Sequence, residues 1–159
     1  MNRLMIAAIV AASFVATPLF AQAPPPYGPA ITFDAAKKAM AAAEAEAKKN
    51  NWPVAIAIVD SSGNLAAFSK MDNTQHGSVD IAIGKAVTAN NLKRPTKALQ
   101  DAIAQGGAGL RLLAVKDITP LEGGVPIVVD GKIIGAIGVS GVASNQDADV
   151  AMAGAAAAK

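Results

Sequence analysis

His76 is the only histidine in this 159-residue chain, and Met71 stands five residues before it in a polar loop, MDNTQHG (71–77). A zinc or non-haem iron centre needs several His, Cys or carboxylate ligands, so one imidazole cannot assemble it. The chain also has no cysteine, which removes thiolate ligation and disulfides. One histidine does suffice for axial ligation of a haem iron, with a methionine thioether as a possible second ligand. The plainer alternative is an exposed loop histidine without a role. Lys85 interrupts an apolar run, IAIGKAVTA. Either it snorkels and keeps its ammonium wet, or it faces a pocket that holds an acidic ligand. Glu122, just before Gly123-Gly124, is a candidate base or metal carboxylate, although a lone loop carboxylate is usually solvated.

Other carboxylates have structural explanations first. Asp60 and Asp130 belong to turns, where a short acid hydrogen-bonds nearby backbone. Asp147 and Asp149 open the last helix, where the dipole favours them, and Ser144 with Asp147 resembles a capping box. Gly131, Gly135, Gly138 and Gly141 do not spell a dinucleotide fingerprint. Gly84-Lys85 lacks the rest of a P-loop, and there is no nucleophile elbow.

The elements that must position these residues follow from spacing. In GGVPIVVDGKIIGAIGVSG (123–141), two apolar runs, 125–129 and 132–140, flank Asp130-Gly131, the signature of a type I′ hairpin. Six glycines in those nineteen residues thin the hairpin, so that a helix, a second chain or a flat ligand can lie close. The run 54–59 reads as a central strand with a bulky face (Val54, Ile56, Ile58) and a small one (Ala55, Ala57, Val59). A second strand is expected over 65–70 and an edge strand over 110–115. Thr32 caps a first helix whose stripe is Phe33, Ala36, Met40, Ala43 and Ala47, with Glu44 and Lys48 paired on its outer side. Helices follow from Ser78 or Asp80 to Asn90-Asn91, over 97–105, and from Ser144 onward. The order is α-β-β-α-α-β-β-β-α. It predicts an α+β domain with a five-stranded antiparallel sheet flanked by helices.

Residues 1–23 read as a cleaved secretory signal: Arg3, an apolar run over 4–15, and Ala21-Gln22-Ala23 as a small-x-small cleavage site. The run falls short of the ~20 residues of a comfortable membrane span. The expectation is an exported protein, periplasmic or secreted, with no span in its mature form. Residues 24–31 form a Pro-rich leader, and 32–159 a single domain. Loss of Arg3 takes the formal charge from +2 to +1, and the small basic group Lys93, Arg94, Lys97 lacks interleaved aromatics. That balance argues against a nucleic-acid partner. An Ala-rich composition with small-residue surfaces suits self-association into a homo-oligomer.

Three stretches together resemble the GlcG/HbpS haem-binding family, also called the haem-degrading or DUF336 domain: Lys70-Met71-Asp72, DIAIGKAVTA (80–89), and 123–141 followed by GVASNQDADVA. The likeness runs from about Thr32 to the C-terminus. It implies a profilin-like antiparallel sheet, oligomers, and haem or another small planar ligand as cofactor. The family pattern after Met-Asp usually runs Gly-Ala-x-x-x-Ser, whereas this chain has Asn73-Thr74-Gln75-His76-Gly77-Ser78, so His76 occupies a variable position. The resulting expectation is an exported haem-binding protein that sequesters or senses haem. His76 is its candidate iron ligand, Met71 lies nearby, and Lys70 or Lys85 neutralises propionates. Two alternatives stand beside it. One is an enzyme on a small organic acid or on haem itself, using Glu122 with Lys85. The other is a non-catalytic accessory oligomer.

Overall fold

A computed structural model describes residues 23–159; of the expected export segment, only Ala23 lies inside that range. Helix α1 (Phe33–Lys49) begins where Thr32 Oγ1 accepts the Ala35 N–H at 3.2 Å, satisfying one of the free amides of the first turn. Its packed stripe is Ala36, Ala39, Ala43 and Ala47. Phe33 does not belong to it. The ring, on the first helical residue, is 68% exposed, with the Lys37 ammonium 4.8 Å from its centre.

Strands β1 (Ala55–Asp60), β2 (Leu65–Lys70), β3 (Gly124–Val129) and β4 (Lys132–Ser140) form one antiparallel sheet in the order β2-β1-β4-β3. Asp130 (φ 49°) and Gly131 (φ 72°) are both left-handed, as the I′ turn between β3 and β4 requires. The two faces of β1 separate as their side-chain sizes foretell. Ile56 and Ile58 join Ile137, Val139 and Val150 in a core with α1 and helix α4 (Ser144–Ala157). Ala55, Ala57 and Val59 meet Ala82, Ala86 and Ala89 of helix α2 (Ser78–Asn91).

The small face brings α2 very near the sheet. A Cβ on Gly138 would collide with the Ala82 carbonyl and the Ala86 amide, and one on Gly124 with the Lys85 carbonyl. Backbone therefore rests almost on backbone there.

Among the described residues the sheet has four strands, not five. Residues 110–115 form no edge strand but lie largely in a 3-10 helix, Gly107–Ala114, which follows α3 (Thr96–Ala104). Gly106 (φ 72°) and Gly107 (φ 55°) turn the chain back, and Gly109 sits so close to the Ala102 backbone that no side chain fits. The apolar run is thereby folded against α3, with Leu110 and Leu113 exposed. The leader makes a single parallel bridge between Tyr27 and Ile133, extending the line of β1 along β4 past the Asp60–Gly135 pair. Tyr27 fastens it to α2 by donating its hydroxyl to the Asn90 carbonyl at 2.9 Å, beneath the Lys93 ammonium at 4.1 Å.

Candidate functional site

The end of α1 is built by Asn50 and Asn51. Asn51 adopts φ 56°, its N–H reaches the Lys48 carbonyl, and the Trp52 N–H reaches that of Ala47. This is a Schellman closure with asparagine in the left-handed position. It turns Trp52 and Pro53 back over the helix end, where they face Ser69 and Lys70 at the end of β2. Between them opens a crevice of about 540 Å³ whose wall also includes Met71 and Lys48. Ser69 donates its hydroxyl to Glu44 Oε1 at 2.6 Å, closing one side, and Lys48 bonds the other oxygen at 3.4 Å. The crevice offers an indole, a proline ring and a thioether for apolar contact, and its lining carries two lysines, Lys48 and Lys70, and two acids, Glu44 and Asp72.

The structure does not gather the five candidate residues into one site. Met71 and Lys70 share the crevice. His76, at the far end of the same loop, is exposed and is not part of the crevice wall. Glu122 lies elsewhere, its carboxylate 3.6 Å from Lys97 and its N–H donated to Gln100 Oε1 at 2.9 Å. Lys97 also pairs with Asp101 at 3.1 Å, and that hydrogen bond, more than Glu122, raises its ammonium above the usual range.

Lys85 fulfils neither of its expectations. It does not snorkel, and it does not face a pocket. Its side chain is 2% exposed, and Nζ bonds Asp147 Oδ2 and the Val139 carbonyl, both at 2.8 Å. Helices on opposite faces of the sheet are thus joined alongside the last residues of β4. Gly123 (φ 123°) makes the space, since a Cβ there would lie 2.8 Å from Nζ and 2.9 Å from Asp147 Cβ. The proposed Glu122–Lys85 acid–base pair is therefore absent, because each partner is committed elsewhere.

The sequence pairs Asp147 with Ser144 as a capping box of its own helix. Instead its second oxygen accepts the Val142 N–H at 3.2 Å, and Gln146 Oε1 accepts the Ala143 N–H at the same distance. A buried lysine needs a counter-ion, but the sequence does not say which of twelve acids supplies it. Burial pushes the Asp147 carboxyl above its ordinary range, while Lys85 and the backbone N–H groups of Val142 and Gly141 oppose that shift. A carboxyl raised in the folded state binds its proton more tightly there than in the unfolded chain. Its contribution to stability is therefore greatest in acid and falls as pH rises from the ordinary carboxylate range through the raised value. Urea unfolding of the wild type and Asp147→Asn between roughly pH 3 and 8 checks this: the wild-type advantage should shrink with rising pH, and a growing one refutes the shift.

The sheet, with α1 and α4 on one face and α2 on the other, defines a three-layer α+β domain carrying an open crevice at one end. A family model described as haem degrading protein HbpS-like matches residues 31–156, and the chain belongs to that family. It is 46% identical over 101 residues to protein GlcG of Escherichia coli K12, covering 64% of this chain and 74% of that one. The crystal structure of a double mutant of Streptomyces reticuli HbpS superposes with a TM-score of 0.74 at 33% identity, covering 95% of this chain and 97% of that one. A structure of the PduOC:haem complex matches with a TM-score of 0.73 at 32% identity, over 80% of this chain and 94% of its own.

Proposed function

We propose that this protein is exported by its first 23 residues and binds haem, sequestering or sensing it. The observation that carries the reading is the likeness to a domain solved as a haem complex, PduOC, at 32% identity. The crevice is the place proposed for such a guest. Trp52, Pro53 and Met71 offer a planar tetrapyrrole apolar contact, and Lys48 and Lys70, in a wall that also carries Glu44 and Asp72, are the cations available to its carboxylates. Bound haem supplies an iron open to ligation and redox change. The chain supplies the apolar contact, the cations and one ligand from the 71–77 loop, either the Met71 thioether at the crevice wall or the exposed His76 imidazole.

Titrating haemin into the purified protein should give a saturable, sharpened Soret band. A shift of that band in His76→Ala assigns the imidazole, and a shift in Met71→Ala assigns the thioether. Spectra unchanged in both variants would remove the loop as the source of the ligand and with it the crevice as the site.

A further inference from the structure

A second opening lies on the side of the molecule formed by α3 and the 3-10 segment. It is a groove of about 460 Å³, within the ~300–1,000 Å³ usual for small-ligand clefts. Arg94 stands at one part of its wall and Arg111 at another, while Leu99, Ala102 and Leu112 supply apolar surface between α3 and the 3-10 helix. No acidic residue lines it. Neither guanidinium forms an ion pair among the described residues, and residues 1–22 contain no Asp or Glu that might supply one. Arg94 donates Nε–H to the nearby Leu92 carbonyl at 3.1 Å, leaving its terminal nitrogens for other acceptors. The groove exists because Gly109 allows the 3-10 segment to rest on the Ala102 backbone, where a Cβ would collide.

Two arginines without carboxylate partners, in a wall that mixes Leu99, Ala102 and Leu112 with Gln105 and glycine backbone, suit an anion with a short hydrocarbon body. A guanidinium presents paired N–H groups that match a carboxylate in plane, and such charge-assisted pairs are the stronger hydrogen bonds. From this lining and the two unpaired guanidinium groups we infer that the groove binds a small organic dicarboxylate. One carboxylate engages Arg94, the other Arg111, and the methylene chain lies on Leu99, Ala102 and Leu112. None of these residues lines the Trp52–Met71 crevice, so the two sites are separate.

Calorimetric titration of the full chain with adipate at low ionic strength tests the assignment. Binding should be saturable, weakened about tenfold or more by Arg94→Gln or Arg111→Gln, and lost in the double variant. Arg111→Lys, which keeps the charge but not the fork, should fall between. Adipamide, of the same length but uncharged, should not bind, and inorganic phosphate should not displace adipate. Both arginines are exposed, so matched thermal midpoints and circular dichroism confirm that the variants fold. Equal adipate binding by wild type and double variant would overturn the proposal, as would phosphate binding as tightly as adipate. A haemin titration in the double variant is the final arm. An unchanged Soret response keeps the two sites apart, whereas a weakened one assigns the arginines to tetrapyrrole carboxylates and overturns a separate site.

Discussion

Lys85→Met should destabilise the fold by about 3–5 kcal/mol, the usual cost of stranding one partner of a buried ion pair. The side chains of Lys85 and Asp147 are 2% and 3% exposed, so water cannot replace the lost ammonium. The Val139 carbonyl loses its Nζ partner as well. The cost should shrink in acid, because Asp147, already raised by burial, then takes a proton and stops being an unpaired charge. Lys85→Met combined with Asp147→Leu should recover most of the loss, since two apolar side chains leave no isolated charge in the site. Denaturant unfolding of the two singles and the double makes the cycle. A double variant as unstable as the sum of the singles would show that the pair is held by shape and not by charge.

Gly138→Ala should be the other severe change, at more than about 3 kcal/mol, beyond ordinary overpacking in a core. The added methyl points into the Ala82 carbonyl and the Ala86 amide, and helical backbone cannot move aside as a side chain can. Gly131→Ala is the matched control. Nothing lies within 4 Å of its Cβ, and only its φ of 72° is at stake, so about 1 kcal/mol is expected. Thermal or urea unfolding of both separates packing from backbone strain. Similar losses in the two variants would mean that α2 gives way and that the close contact is not rigid.

Local signals carried much of this architecture. Asp130-Gly131 between apolar runs specifies its hairpin, and alternating large and small side chains along β1 foretell two unlike layers. Residues 110–115 misled for the opposite reason. An apolar run reads as a strand, whereas glycines at 106, 107 and 109 fold it against α3, a contact that periodicity does not encode. The position of Lys85 in an apolar helix flagged it as exceptional. Its partner lies 62 residues away, and local dipole arguments account for Asp147 so well that they conceal the pairing. Proximity in sequence also proved a poor guide to the crevice. Met71 and His76 share a loop, yet only Met71 lines the wall, which Trp52 and Lys48 complete from α1 and its end.

The alanine contact between α2 and the sheet limits how this protein can change over generations. Where main chains nearly touch, neither Gly138 nor Gly124 can gain a single carbon without displacing helix α2. A side chain added at Gly138 or Gly124 must therefore be met by a shift of the α2 main chain itself, which no exchange of the Ala82 or Lys85 side chain can supply.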